Sequence, residues 1–378
     1  MRVHRIYLVP GMFGFGRLAG YDYFHHVRES FASRFAAAGA ACRIEVVPAP
    51  PTSSLRHRAR ILSRTVEQTL GNEPGPIHLV GHSTGGLDLR LVLTPTSSLD
   101  MDPGRLAWTR RVASAVSLNA PHFGTPLASH FSTVSGTRVL YALSVFTVVS
   151  LSIGEPSLAA LSRLLNGVGG IDRIFGGDLR LVSRATDVVL RFVDREGRGD
   201  IQRFLGQVRV DQGGVIQLMP EAMDLFNAST ADAPHVRYGC VATAGPPPGA
   251  GRLLLRMRSP YAAATGAMYS TLHRLTSQRH EMYPYARPTG QQREMLATAL
   301  DPQLGDASSD GIVPTLSMLW GKLLWCGEAD HLDVLGHFHD DVRPRVHQDW
   351  ITSGARFTRN TFSDLMDAVV TFELEAAR

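Results

Sequence analysis

Ile77-His78-Leu79-Val80-Gly81-His82-Ser83-Thr84-Gly85-Gly86-Leu87 is the stretch from which the fold can be read. Ile77 to Val80 is a short apolar run, as a strand buried on both faces requires. Gly81 to Gly85 then fits G-x-S-x-G, and Leu87 to Leu93 reads as a helix. Strand, tight turn and helix in this order hold a serine in a strained backbone conformation, its hydroxyl projecting above the sheet. Close backbone packing at such a turn tolerates little beyond glycine at Gly81 and Gly85. The helix N-terminus aims at the same point and favours negative charge there. A plain glycine-rich loop carries the same letters; the flanking strand and helix favour a nucleophile at Ser83.

Outward from this turn, strand and helix signals alternate. Ile6 to Val9 is another continuous apolar run, and Val27, Phe31, Phe35 and Ala38 recur at helical spacing until Gly39. Ile44, Val46 and Val47 read as a strand. Leu55, Ala59, Leu62, Val66 and Leu70 form one helical face, with Ser53 or Ser54 as its cap and Gly71 at its end. Val112 to Leu118 is the next strand. This alternation predicts an α/β fold with a mostly parallel central sheet covered by helices on both faces.

The alternation breaks after Pro126. Residues 127–229 are apolar and helical in pattern, with glycine joints at Gly167–Gly170 and Gly176-Gly177, and read as an inserted helical cap or lid. The strand signal returns at Val236 to Val241. Residues 251–300 form a second insertion that the pattern does not assign. Lys322 to Trp325 reads as a strand, and Leu365, Val369 and Phe372 mark one face of a last helix. The core is thus expected in residues 1–126, 230–250 and 301–378.

Composition narrows the function classes. Apolar residues make up 44% of the 378 residues, which excludes a disordered tail protein, a collagen and a coiled coil. The net charge is +4, and with Lys322 the one lysine, 38 − 1 = 37 residues are arginines. They are scattered rather than clustered into a basic face, so no nucleic-acid partner is expected. Cys42, Cys240 and Cys326 form no C-x-x-C pair, and no disulfide framework is expected. The apolar run Val139 to Ile153 is broken by Ser144, Thr147, Ser150 and Ser152. It falls short of the ~20 residues of a membrane-spanning helix. The first apolar stretch ends at once in Pro10-Gly11 and reads as a strand rather than a leader, so a cytoplasmic location is the expectation.

A serine hydroxyl is a weak nucleophile and needs a base, best a histidine whose tautomer a carboxylate fixes. On a strand–turn–helix scaffold of this kind the partners follow the serine in the order acid, histidine. Ser308-Ser309-Asp310-Gly311-Ile312-Val313-Pro314 resembles a strand-end loop carrying an acid, and Ala329-Asp330-His331-Leu332-Asp333 follows one strand later. Asp310 is therefore the candidate acid and His331 the candidate base. The oxyanion of an acyl-transfer intermediate needs backbone N–H donors. Thr84, after the nucleophile, is one candidate, and Met12, in the loop Val9 to Gly14, is the other. One such donor is worth about 2.7–4 kcal/mol of barrier lowering. A plain glycine turn is the alternative reading of that loop.

These segments together resemble an α/β-hydrolase of the bacterial triacylglycerol-lipase type. Leu8 to Gly14 resembles the oxyanion loop, Gly20 to Phe24 the approach to the first helix, and Gly81 to Gly86 the GHSxGG elbow. Ala120 to Pro126 is similar to the turn before the lid, and Leu218 to Met223 with Phe226-Asn227 to the segment after it. Asp310 to Val313 and Asp330 to Asp333 resemble the acid and histidine loops. The resemblance covers the core but not residues 127–217 or 252–300. It implies a carboxylic-ester hydrolase, lipase or carboxylesterase, with Ser83, Asp310 and His331 as the triad and Met12 and Thr84 as oxyanion donors. It further implies an apolar lid over the acyl pocket and no cofactor. The run Val139 to Ile153 reads equally as a lid helix that opens in transient contact with a lipid interface, as in a lipase, and as a cap helix packed permanently over a small-ester pocket, as in a carboxylesterase. Pro10-Gly11 departs from the His-Gly usual in these lipases. Related Pro-Gly patterns occur in acyltransferases resembling lecithin:cholesterol acyltransferase, so acyl transfer stays open, as does polyester depolymerisation. Asp333 matches one position of a calcium shell seen in many members, but the glutamine expected four residues on is His337. With His339, Asp340 and Asp341 it reads as a solvated polar loop, and no metal is expected.

Overall fold

The computed structural model describes residues 2–14, 17–18, 21–71, 74–97, 99–133, 140, 143–144, 147, 195–249, 260–300, 305, 307–344 and 346–378. Eight strands occur among them: β1 (Val3–Val9), β2 (Arg17–Leu18), β3 (Tyr21–Asp22), β4 (Ala41–Val46), β5 (Ile77–His82), β6 (Val112–Leu118), β7 (Arg237–Ala244) and β8 (Lys322–Glu328). Six of them form one sheet in the order β4-β1-β5-β6-β7-β8, every pair parallel. The sheet is therefore wholly parallel, while β2 and β3 make a small antiparallel pair of their own.

The strands alternate their side chains between two cores. Ile6, Leu8 and Val80 point into one core, where α1 (His25–Ala37) contributes Val27, Phe31 and Phe35 and α10 (Arg359–Ala376) contributes Leu365 and Val369. Tyr7, Val9, Ile77 and Leu79 point into the other, against Ala59, Leu62 and Val66 of α2 (Leu55–Thr69). Burying one such Leu or Phe side chain stabilises by about 1.5–3 kcal/mol. Ser54 caps α2 by accepting from the His57 N–H. Helix α1 ends one residue before Ala38, which is exposed, and Gly39 follows at φ +69°.

Among the described residues, the α-helices α3 (Thr84–Leu93), α4 (Pro126–Phe131), α5 (Arg195–Val210), α6 (Gly213–Gln217) and α7 (Pro220–Ser229) lie between β5 and β7. The described parts of the expected insertion are thus helical. Most of the apolar run Val139 to Ile153, and both glycine joints, lie outside the described residues. In the range 251–300, which the sequence pattern leaves unassigned, two helices occur among the described residues, α8 (Pro260–Thr276) and α9 (Gly290–Ala299). Among the described residues no helix is long and apolar enough to cross a membrane. The three cysteines are unpaired.

The chain reverses its direction of travel across the sheet at one place. From β1 it moves outward to β4, then returns past β1 to β5. The crevice between the carboxyl ends of β1 and β5 is where ligands bind in open sheets of this type. Val9 and Gly81 are register partners there, so the loops that follow them lie side by side.

Candidate active site

Ser83 occupies the turn between β5 and α3 with φ 53° and ψ −126°. This conformation costs on the order of 1–3 kcal/mol and needs support from its surroundings. The Ser83 N–H donates to the Leu118 carbonyl at 2.8 Å, which pins the turn to β6. A Cβ at position 81 would lie 2.4 Å from the Gly85 carbonyl carbon, and one at position 85 would lie 2.3 Å from the Val9 oxygen. Glycine at both positions is a matter of contact distance, as the motif reading requires.

The loop after β1 packs on this turn. A Cβ on Gly11 would meet the Ser83 Cβ at 2.6 Å. The Gly14 N–H donates to Gly11 O and the Phe13 N–H to Pro51 O. No hydrogen bond engages the Met12 N–H among the described residues, and Thr84, first residue of α3, has an N–H without an intrahelical partner.

Beneath the loop, buried Arg58 donates to the carbonyls of Pro10 and Pro50 and pairs with Asp88 at 2.8 Å. Burial pushes the Asp88 carboxyl up to about 7, and the Arg58 guanidinium opposes it. Arg58→Met leaves Asp88 buried without its cation, and the expected loss of unfolding free energy is about 3–5 kcal/mol. Adding Asp88→Leu is expected to recover most of that loss. Urea unfolding of the two variants checks both; equal stability of Arg58→Met and wild type would contradict the role given to the pair.

Asp310 is 1% exposed. Its Oδ1 accepts the N–H groups of Ile312 and Val313 at 2.8 and 2.7 Å, and Gly311, between Asp310 and Ile312, adopts φ +95°. Its Oδ2 accepts from His331 Nδ1 at 2.6 Å. With the proton on Nδ1, the His331 Nε2 carries a lone pair, the form a general base needs. Ser83 and His331 line the same cavity, with about 670 Å³ of empty space including its mouth. Its other walls include Met12, Phe131, Leu143 and Leu218. No Ser83–His331 hydrogen bond forms among the described residues; such bonds often tighten only when substrate arrives. Sequence reasoning passed over Trp350, which also lines the cavity and donates through Nε1 to Thr147 at 3.2 Å.

Two further residues escaped the sequence reading. His82 Nε2 donates to the His331 carbonyl at 2.9 Å, and the Tyr23 hydroxyl lies 2.8 Å from His82 Nδ1. Tyr23 lies in the quoted segment Gly20 to Phe24, but nothing in the letters singles out its hydroxyl.

The polar stretch 337–341 is only partly solvated. His337 and Asp340 are buried, while His339 and Asp341 are exposed. Asp340 is held by Arg359 at 2.6 Å and by the backbone N–H groups of Val342, Val346 and His347. His337 Nε2 donates to the Tyr23 carbonyl. Asp333 does approach Asp330 and Asp349, with carboxylate oxygens within 4.8 Å of one another. Calcium takes six to eight oxygens, and one Asp333 oxygen already accepts the Asp330 N–H.

No family model matches the chain. The chain is 32% identical over 163 residues to a triacylglycerol lipase of Vibrio cholerae serotype O1, a match that spans 43% of this chain and 45% of that lipase. Its fold is similar to that of EstA from Clostridium botulinum, at TM-score 0.51 and 16% identity, covering 99% of this chain and 88% of that one. Lipase 1 from Pelosinus fermentans gives TM-score 0.50 at 17% identity, covering 98% and 99%. The wholly parallel sheet, the helices on its two faces and these likenesses agree: the chain has the α/β-hydrolase fold and resembles bacterial lipases and esterases.

Proposed function

We propose that the chain is a carboxylic-ester hydrolase acting through Ser83, His331 and Asp310. The observation that carries the reading is the 2.6 Å bond between Asp310 Oδ2 and His331 Nδ1, on loops opening into the cavity that Ser83 also lines. Ser83 Oγ attacks the ester carbonyl while His331 Nε2 takes its proton. The oxyanion accepts from the Met12 and Thr84 N–H groups. His331 then protonates the leaving alcohol, Asp310 stabilises the imidazolium, and a water activated by His331 releases the acid from the acyl-enzyme.

The cavity's largely apolar lining suits an acyl chain. The helices between β6 and β7 form a cap in this reading. Val210, Ile216 and Leu225 on α5, α6 and α7 are exposed and give that cap apolar side chains for transient contact with an ester aggregate.

Rates on p-nitrophenyl esters from acetyl to palmitoyl test the reading. Hydrolysis with a preference beyond the shortest chains is expected, because longer chains fill more of the apolar wall. Absence of hydrolysis across the series would refute it. A glycerol or sterol acceptor in the same assay separates acyl transfer: ester product in excess of free acid would make the chain an acyltransferase.

A further inference from the structure

We propose that Tyr23 and His82 are positioning residues, through which one buried hydrogen-bonded relay ties the oxyanion loop, the nucleophile turn and the backbone of His331 together. The inference rests on the hydrolase reading of Ser83 and His331. The relay runs from the Gly11 N–H to the Tyr23 hydroxyl oxygen, from the Tyr23 O–H to His82 Nδ1, and from His82 Nε2–H to the His331 carbonyl.

Its direction follows from the chemistry of the groups. A carbonyl oxygen only accepts, so His82 Nε2 must carry the proton. His82 is 1% exposed, and burial, with His331 adding to it, holds its pKa well below the usual histidine value. The ring is therefore neutral, and its Nδ1 offers a lone pair. The Tyr23 hydroxyl must donate to that lone pair, which leaves its oxygen to accept from Gly11. The opposite tautomer would set a lone pair against a carbonyl oxygen in a buried place, where no water relieves it.

The three ends of the relay are the parts whose spacing the reaction depends on. Gly11 precedes Met12, the candidate oxyanion donor. His82 precedes Ser83. His331 is the base, and its ring centroid lies 4.7 Å from that of His82. Asp310 fixes the tautomer and rotation of the His331 ring, but it bonds only to the ring. The His331 main chain is held by His82, the residue covalently joined to the nucleophile. Because Ser83 and His331 do not yet share a hydrogen bond, their closing distance depends on how firmly each backbone is placed. Tyr23 is itself clamped: its ring stands edge-on to Phe24 at 5.0 Å, and its carbonyl accepts from His337 at 3.2 Å. A misplacement of about 1 Å at a reacting group can cost about 100-fold in rate.

The test uses the rate at which a fluorophosphonate labels Ser83, which needs no knowledge of the natural ester. Saturation kinetics separate the binding constant of the probe from the first-order labelling rate. Tyr23→Phe removes one hydroxyl and keeps the ring. Its labelling rate is expected to fall about 10- to 100-fold, with the binding constant within about twofold of wild type. His82→Leu is expected to fall at least as far, and Tyr23→Phe in the His82→Leu background to add little, because the hydroxyl acts through the imidazole. His82→Gln restores an N–H donor near the Nε2 position and is expected to label faster than His82→Leu.

Thermal unfolding accompanies each variant. A folded Tyr23→Phe labelled at the wild-type rate overturns the inference, as does a change confined to the binding constant or a double variant whose losses multiply. Should Tyr23→Phe fail to fold, equal labelling of His82→Gln and His82→Leu overturns it instead. A wild-type chain left unlabelled at Ser83 overturns the hydrolase reading itself, and this inference with it.

Discussion

Ser83→Ala is expected to lower kcat/KM for p-nitrophenyl butyrate by about 10⁴- to 10⁶-fold. The substitution removes one oxygen and nothing else: the cavity keeps its apolar wall, Asp310 keeps its bond to His331, and the Ser83 N–H bond to Leu118 O is a backbone contact that alanine retains. No side-chain hydrogen bond of Ser83 is lost among the described residues, so unfolding free energy should change by less than ~1 kcal/mol. Alanine inherits the same strained φ of 53°. The variant should therefore bind a substrate analogue as wild type does, while residual turnover comes only from binding and the oxyanion donors. Steady-state rates, with calorimetric binding of a non-hydrolysable ester, check both halves. Activity within tenfold of wild type would remove Ser83 from the chemistry.

The expectation for Ser83 could be formed from letters alone because the turn is a local object. A strand, two glycines forced by contact distance and a helix are all encoded within residues 77–93. The faces of α1 and α2 were legible for the same reason: Phe31 and Phe35, or Ala59, Leu62 and Val66, repeat with the helix. Asp310 and His331 became the candidate acid and base from their order behind the serine and the loops that carry them. Helix α8 was not legible, because Thr265, Tyr269, Leu272 and Thr276 lie on its buried side and two of the four are threonines. That spacing is helical, but the pattern is not hydrophobic. Arg58 sits at a buried position of an amphipathic helix only because Asp88 on α3 and the Pro10 carbonyl meet it there. His82 and Tyr23 depend on contacts across 249 and 59 positions, which no local period records. His337 and Asp340 were misjudged as solvated because their partners, Tyr23 and Arg359, are likewise brought from other elements.

Asp310→Asn is expected to lower kcat by about 10⁴-fold with little change in fold, and the structure says why an isosteric amide should be so harmful. The two oxygens of Asp310 have different duties. Oδ1 accepts the Ile312 and Val313 N–H groups, while Oδ2 accepts from His331 Nδ1. Asparagine has one oxygen and one NH₂. Two backbone N–H donors demand the oxygen at the first position, so the NH₂ must face the imidazole. His331 can then meet it only with a lone pair on Nδ1, which moves the proton to Nε2. The imidazole keeps its place but presents an N–H towards the Ser83 hydroxyl and can no longer take its proton. Nitrogen-15 shifts of the imidazole should report the exchanged tautomer, and the labelling rate of Ser83 should fall with kcat. Asp330 supplies the contrast: it is buried one residue before His331, yet its Oδ1 accepts the Leu332 N–H, and the hydrogen bond to His331 Nδ1 is made by Asp310. Asp330→Asn should leave the tautomer as it is. If it abolished turnover while Asp310→Asn did not, the acid would have been assigned to the wrong carboxylate.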